Sequence, residues 1–276
     1  MEAFTSGLNL VNDILWSYIL IVMLIGCAIW FTIKSKFVQF RMMKEMIRVL
    51  GDSANKQEGR EHHISSFQAF MVSLASRIGT GNLAGVATAI TVGGPGAVFW
   101  MWIVALLGSS SAFIESTLAQ LYKVHGKDSF VGGPAYYMKK GLKQPWMGIL
   151  FAILIIFTFS FAFNSVQSNT ICAAFEQAFQ VDNRTMGIIL TGLSLAIFFG
   201  GIQRIAKVSS IIVPVMAAGY IILAIAIIAL NIHHIPYVLK TIVTHAFGWE
   251  QAIEGGIGVA IMQGVKRGLF SNEAGM

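Results

Sequence analysis

Long stretches without a charged side chain dominate this sequence. Residues 78–114 are 37 consecutive uncharged positions, and residues 14–33 form another uncharged run. A transmembrane helix needs about 20 mainly apolar residues. Over the whole chain 55% of the residues are hydrophobic and 12% are charged, about half the charged share of a typical soluble domain. Such a chain cannot cover its surface with polar groups in water, so we predict an all-α integral membrane protein.

The apolar runs predict seven membrane segments. The stretch 78–114 is too long for one helix, and the turn sequence Gly93-Gly94-Pro95-Gly96 divides it between a helix that begins near Ile64 and the next helix. The other segments are 14–33, 147–175, 185–203, 208–232 and a weaker one from Ala252 onward. Because the run 14–33 can span and no cleavage pattern follows it, we expect it to stay in the protein.

The net charge of +6 follows the loops. With the N-terminus outside, the loops on one side (34–63, 123–143 and the link 204–207) hold fourteen Lys and Arg, whereas the other side holds only Arg184 and Lys240. Such an excess is typical of cytoplasmic loops. The basic charge therefore reflects membrane orientation, and nucleic acid is excluded as a partner.

Residues 37–50 have an amphipathic pattern. Their apolar residues share one helical face (Phe37, Phe40, Met43, Ile47 and Leu50), and their charged residues share the other (Arg41, Lys44, Glu45 and Arg48). This pattern favours a helix lying on the cytoplasmic membrane surface. The alternative is a loop helix packed on the protein.

An unusual polar sequence lies within the helix that begins near Ile64. It reads Ser76-Arg77-Ile78-Gly79-Thr80-Gly81-Asn82. Glycine weakens a helix, and backbone groups freed at membrane depth must line a cavity or be buried in protein. Freed amides could hold a carboxylate, and freed carbonyls could hold an ammonium group or a sodium ion. Close helix packing through small residues is the alternative interpretation.

The last segment is a second candidate for a broken helix. It reads Gly264-Val265-Lys266-Arg267-Gly268-Leu269-Phe270-Ser271-Asn272-Glu273-Ala274-Gly275. Paired interruptions in corresponding helices indicate a carrier built from inverted repeats.

Several other polar residues lie inside predicted spans. Gln167 and Asn169, with Phe163 one turn before Gln167, are expected to face the same cavity, although a bond to another helix is the alternative. Glu115 lies well inside its helix, and Arg77 is its predicted charge partner because a lone buried charge is costly.

Four motifs resemble the sodium:alanine symporter family, and together they cover residues 64–276. They are Gly93-Gly94-Pro95-Gly96-Ala97-Val98-Phe99-Trp100-Met101-Trp102-Ile103, Gly79-Thr80-Gly81-Asn82 with Ala84-Gly85-Val86-Ala87, Gly132-Gly133-Pro134-Ala135-Tyr136-Tyr137, and Arg267-Gly268-Leu269-Phe270-Ser271-Asn272-Glu273-Ala274-Gly275. The resemblance implies sodium-coupled uptake of alanine or glycine, D- or L-, across a bacterial or archaeal plasma membrane. It also implies a leucine-transporter-like fold of two inverted five-helix repeats.

The resemblance further implies roles for individual residues. Thr80 and Gly81 would offer backbone amides to the substrate carboxylate beside Gly79, and the Arg77 carbonyl would face the substrate amine. The carbonyls of Ala75 and Ile78 would form half of a sodium site. The other implied site residues are Asn82, close to ion or substrate, Gln167, in contact with the substrate, and Phe270 and Ser271 of the second broken helix.

We therefore expect a multi-pass symporter with sodium as coupling ion, a small amino acid as substrate, the lipid bilayer as partner and no other cofactor. The expected domains are 1–63 (membrane helix and amphipathic segment), 64–232 (first repeat) and 233–276 (outer loop and start of the second repeat). The chain is expected to be a fragment, since the second repeat would have only its opening helix. An intramembrane enzyme and an ion channel are the alternatives.

Overall fold

The computed structural model describes residues 2–52, 65–126, 130–247 and 256–272, and almost all of them are helical. The helices up to residue 121 are α1 (Glu2–Ile14), α2 (Ile21–Lys34), α3 (Val38–Arg41), α4 (Met43–Asp52), α5 (Ser66–Arg77), α6 (Val86–Gly93) and α7 (Gly96–Leu121). The later helices are α8 (Pro134–Lys140), α9 (Pro145–Phe157), α10 (Asn164–Phe179), α11 (Asn183–Phe198), α12 (Gly201–Leu230), α13 (Ile235–Ala246) and α14 (Gly256–Asn272).

Short segments connect several of these helices. π-Helical turns at Leu15–Leu20 and Thr158–Phe163 join α1 to α2 and α9 to α10, and a third, Gly81–Gly85, leads into α6. A 3-10 turn, Ile232–His234, precedes α13. The two-residue strands β1 (Val124–His125) and β2 (Phe130–Val131) form an antiparallel pair.

Within the described residues, four helical stretches are long and apolar enough to cross a membrane, judged by length and composition. They are Thr5–Lys34, Gly96–Leu121, Pro145–Phe179 and Gly201–Leu230, and the shorter apolar helices are Gly81–Gly93 and Asn183–Phe198. Their lipid-facing character is plain in α12, where Leu223 is 60% exposed and Ile222 is 67% exposed. A soluble protein would bury such side chains, whereas lipid accepts them. The prediction of an all-helical membrane protein is confirmed.

Of two turns predicted within the described residues, one is observed and the other is misplaced. Gly94, at φ +71°, separates α6 from α7, as expected from the Gly-Gly-Pro-Gly turn. The predicted link at 204–207 is wrong, because the chain turns at Gly200 and Gly201, where Gly201 has φ +67°. Arg204 and Lys207 therefore lie inside α12, near its start. Long cationic side chains near a helix end can extend towards the membrane surface.

The chain divides into two compact units that alternate along the sequence. Unit 1 contains Met1–Lys44, Gly81–Ile114 and Ile221–Met276, and unit 2 contains Glu45–Thr80 and Glu115–Tyr220. The domain boundaries expected at residues 63 and 232 stay a prediction.

Unit 1 is held together by close contacts of α7 with α2 and α14. Val104 of α7 packs with Val265 and Leu269 of α14 in one buried cluster. On the α2 side, Thr32 Oγ1 donates to Ser110 Oγ at 2.9 Å, and both side chains are buried. Such interhelical hydrogen bonds between hydroxyls are typical of membrane helix pairs.

Unit 2 contains a tight pair of helices, α8 and α9. Each begins with a proline, Pro134 and Pro145, in the first turn, where the missing N–H costs nothing. A Cβ on Gly148 of α9 would lie 2.7 Å from the Ala135 carbonyl oxygen of α8. In the same unit Asp182 caps α11, since its carboxylate accepts a hydrogen bond from the Arg184 N–H at 3.1 Å.

Candidate functional site

The helix predicted to break does break. Its first half, α5, starts at a reciprocal cap in which Ser65 Oγ accepts from the Gln68 N–H and Gln68 Oε1 accepts from the Ser65 N–H, each at 3.1 Å. It ends at Arg77, and Ile78 adopts an extended conformation (φ −94°, ψ 94°). The α-helical bonding of α5 is lost at Ile78 and Gly79, and the chain continues through a π-helical turn into α6.

The last turn of α5 carries the backbone carbonyls for which the sequence predicts an ion or an amine as partner. The Ile78 N–H donates to the Leu74 carbonyl at 2.9 Å. The carbonyls of Ala75 and Arg77 come after the Leu74 carbonyl, and the last carbonyls of a helix have no partner in the next turn of that helix. Use of the Ala75, Arg77 and Ile78 carbonyls by an ion or an amine stays a prediction.

In unit 2 the side chain of Gln167 contacts the backbone at the break. Gln167 is half-buried in α10, and its Oε1 accepts a hydrogen bond from the Thr80 N–H at 3.4 Å. Its Nε2 lies so near Gly79 that a Cβ there would overlap it. The structure thus brings together the three predicted residues Gly79, Thr80 and Gln167. Asn169, predicted to face the same cavity, is exposed two residues further along α10.

In unit 1 four other predicted residues form a second group. Gly81 is buried, and a Cβ on it would lie 3.0 Å from Phe270 Cδ1 and 3.1 Å from Ser271 Cα. Ser271 is 5% exposed, and its hydroxyl donates to Asn82 Oδ1. Residues far apart in the sequence therefore meet through one partly buried hydrogen bond and one close approach at a glycine.

The second predicted break is wrong within the residues that the structure describes, because α14 runs without interruption through Gly264 and Gly268 to Asn272. The part of the motif at 273–275 lies outside the described residues. A Cβ on Gly264 would come within 2.5 Å of the Ala97 carbonyl oxygen, and one on Gly268 within 3.2 Å of Met101 Cα. These two glycines serve close packing against α7, as small residues often do between membrane helices.

Two charged side chains of unit 2, Arg77 and Glu115, lie in or beside the helices next to the break. The guanidinium of Arg77 acts electrostatically on the half-buried carboxyl of Glu115. The mutual compensation of the Arg77 and Glu115 charges stays a prediction. Burial and the negative charge of the Glu115 carboxyl raise the pKa of the Tyr137 phenol in α8.

Comparison with known proteins identifies the family. The family model described as "Sodium:alanine symporter family" matches residues 1–276. The probable sodium/glutamine symporter GlnT of Bacillus subtilis is 54% identical over 97% of this chain and 56% of its own length. The amino-acid carrier protein AlsT of the same organism is 52% identical over 100% of this chain and 58% of its own length. The sodium/alanine symporter AgcS of Methanococcus maripaludis is 40% identical over 99% of this chain and 61% of its own length.

The chain belongs to the sodium:alanine symporter family. It spans somewhat more than half the length of these relatives. The family match also covers residues 1–63, which the sequence motifs did not include. Since the family consists of transporters, the chain is not an enzyme, and its apolar helices make it a multi-pass protein of the cytoplasmic membrane.

The tryptophan-rich motif of this symporter family has a structural use that the sequence did not reveal. Trp100 Nε1 donates to the Ala246 carbonyl at 3.2 Å, and a Cβ on Gly96 would lie 2.5 Å from the His245 carbonyl oxygen. The Phe247 ring lies edge-on to Phe99, with centroids 5.0 Å apart. The motif therefore holds the C-terminal end of α13 against the start of α7. No local signal could have found this contact, because the partners are 146 positions apart.

Proposed function

We propose that this chain acts in a sodium-coupled secondary active symporter that imports small neutral amino acids, alanine or glycine, by alternating access. The observation that carries the proposal is the helix break at Ile78 and Gly79 in a member of the sodium:alanine symporter family. The chain covers only part of its relatives' length, so this activity is proposed for the whole carrier.

The two helix ends that meet at the break have opposite partial charge. The break therefore suits a zwitterionic amino acid. The N–H groups of Thr80 and Gly81 lie at the start of the second half-helix, the positive end of its dipole, and are proposed to hold the substrate carboxylate. The Thr80 N–H already donates to an acceptor outside the helix, the Gln167 side chain, at 3.4 Å. An oxygen from a ligand is chemically equivalent to that acceptor.

The other end of the break is proposed to hold positive charge. The carbonyls of Ala75, Arg77 and Ile78 lie at the C-terminal, negative end of α5. Carbonyl oxygens at such ends coordinate sodium in carriers with broken helices. We assign the Arg77 carbonyl to the substrate amine and the carbonyls of Ala75 and Ile78, with Asn82, to sodium.

A small substrate is supported by the crowding around Gly81. Phe270 Cδ1 and Ser271 Cα lie within about one van der Waals contact of the place a side chain would occupy there. At Gly79 the nearest neighbour is the amide end of the flexible Gln167 side chain, which can move aside more easily than a backbone. We propose that Phe270 and Ser271 limit the size of the substrate side chain.

The fold proposed for the whole carrier is the inverted-repeat fold of the leucine transporter. In it residues 64–232 form the first five-helix repeat, and residues 233–276 belong to an outer loop and the start of the second repeat. The helix break near the start of residues 64–232 supports this assignment, as does a match to somewhat more than half of each relative. The uninterrupted α14 gives it no support.

Uptake into proteoliposomes tests the proposal. We expect a carrier that contains this chain to concentrate labelled alanine or glycine when sodium is high outside, and to stop when sodium is replaced by potassium. Accumulation driven equally well by a proton gradient in potassium would overturn sodium coupling. Flux that does not saturate with substrate would indicate a channel instead.

The same assay separates the candidate substrates. Unlabelled glutamine belongs among the competitors because a relative 54% identical is named a probable sodium/glutamine symporter. We expect alanine and glycine to compete for uptake more strongly than glutamine, since the residues around Gly81 leave little space. Stronger competition by glutamine would move the substrate assignment to that amino acid. Running residues 1–276 alone in parallel tests whether this stretch suffices.

A further inference from the structure

Helices α3 and α4 carry an apolar face that the described part of the protein leaves uncovered. The exposed fractions are 56% for Phe40, 53% for Met43 and 67% for Ile47. Four polar residues occupy the opposite face (Arg41, Lys44, Glu45 and Arg48). Of the two interpretations that the sequence left open, packing on the protein finds no support within the described residues of unit 1, where Phe40 and Met43 stay exposed. This part of the face is therefore available to a partner outside unit 1.

The position of α3 places this face at the membrane surface. The spanning helix α2 ends at Lys34, whose Nζ lies 4.9 Å from the centroid of the Trp30 ring. Tryptophan and lysine are typical of the boundary between lipid and water. Helix α3 begins only four residues later, at Val38. The amphipathic segment therefore leaves the membrane at the level of the lipid headgroups.

Contacts within unit 1 prevent the start of the segment from moving away. Phe37, at φ 54°, turns the chain sharply after α2. Val38 is 1% exposed, and Gln39 Nε2 donates to Thr32 Oγ1 at 3.5 Å. Thr32 in turn donates to Ser110 of α7. The first turn of α3 is thus fixed to the end of α2.

We propose that residues 37–52 form a docking surface for anionic phospholipid headgroups, with the apolar face immersed between the acyl chains. An amphipathic helix with cations beside its apolar face binds membranes through both features. Transport activity is not required for this binding.

An ion pair within α4 indicates which cations of this surface are available to bind headgroup phosphates. Arg48 Nη2 lies 2.6 Å from Glu45 Oε1, so much of its charge is already balanced. The structure describes no such carboxylate for the exposed Lys44 or Arg41. These two residues, rather than Arg48, are assigned to the headgroup phosphates.

Depth of insertion tests the apolar face. The native cysteines, exposed Cys27 and buried Cys172, are first replaced by alanine, and an environment-sensitive fluorophore is attached at Ile47→Cys or, as control on the opposite face, at Lys44→Cys. We expect lipid-attached quenchers to quench the label at position 47 much more than the label at 44. Quenching of both labels mainly by aqueous iodide would overturn the proposal. So would shielding of position 47 from both quenchers, which would mean that protein covers the face.

Lipid charge tests the cations. The full chain is placed in phosphatidylcholine nanodiscs with and without added phosphatidylglycerol, and the enrichment of the anionic lipid near the label at 47 is measured. Lys44→Gln should lower this enrichment roughly fivefold, the effect of one cation near the surface. Arg48→Gln, the matched control, should lower it less because Glu45 already pairs with Arg48. Equal enrichment in all variants, or a larger effect at Arg48, would overturn the assignment.

Discussion

Two stretches of this protein contain glycines four or fewer residues apart within an apolar helix, and they behave differently. At Gly79 and Gly81 the α-helical bonding is interrupted, whereas at Gly264 and Gly268 helix α14 is unbroken. Both stretches also carry cations, Arg77 in the first and Lys266 and Arg267 in the second. The sequence predicts a break in each.

The difference shows that glycine permits a helix break but does not cause one. Beside the break, the side chain of Gln167 accepts a hydrogen bond from the Thr80 backbone and so replaces part of what the helix loses. Beside α14, the backbone of α7 approaches the glycines closely, and an intact helix preserves that contact. The neighbour of each glycine therefore decides the outcome.

The largest expected effect is at Gly81. Gly81→Leu should abolish sodium-dependent alanine binding, because even a Cβ at this position would lie 3.1 Å from the Ser271 backbone. Calorimetry on the purified carrier measures the binding. Gly26→Leu, where a Cβ would meet nothing within 4 Å, is the control and should bind normally. Normal binding by the Gly81 variant would place the site elsewhere.

The next largest effect is on the stability of the unbroken helix. Gly264→Ala should lower the free energy of unfolding by about 1–3 kcal/mol, since its Cβ would overlap the Ala97 carbonyl oxygen. Gly258→Ala in the same helix meets nothing within 4 Å, and its better helix propensity should leave stability unchanged or raised by up to about 1 kcal/mol. Thermal unfolding in detergent compares the two variants. Equal stability would refute the packing explanation for α14.

A smaller effect tests the partner of the broken helix. Gly79→Ala should destabilise the protein because its Cβ would overlap the Gln167 amide, and Gln167→Ala should cost about 1 kcal/mol through the lost hydrogen bond. Combining both changes removes the overlap, so the double variant should be more stable than the sum of the single losses predicts. Additive losses would show that Gln167 does not control the space at Gly79.

The smallest effect concerns charge near the break. Burial and the negative charge of Glu115 raise the pKa of the Tyr137 phenol above its ordinary value of 10.0. The stability linked to this proton is therefore complete below pH 10 and declines as the pH rises through the raised value. Glu115→Gln should shift the absorbance titration of Tyr137 to lower pH, with Tyr137→Phe identifying the signal. No shift would mean that the Glu115 charge does not reach α8.

Much of the fold could be predicted because its signals are local. The apolar run 147–175 lies within the observed helix Pro145–Phe179, and the Gly-Gly-Pro-Gly turn lies between α6 and α7. Helix ends are harder to predict: the cations at 204–207 predict a loop, although the helix already begins at Gly201. A charge near the end of a membrane helix does not by itself end it, because a long side chain can extend to water.

The sequence by itself determined that this chain is an all-α membrane protein and that the stretch 76–82 could break a helix, because apolar length and glycine content are local properties. Only the tertiary structure decided that Gly264 and Gly268 pack against α7 and that Asn82 meets Ser271. It likewise decided that Trp100 holds the end of α13. These outcomes depend on which distant backbone or side chain reaches each residue, and residue spacing along a helix carries no record of that.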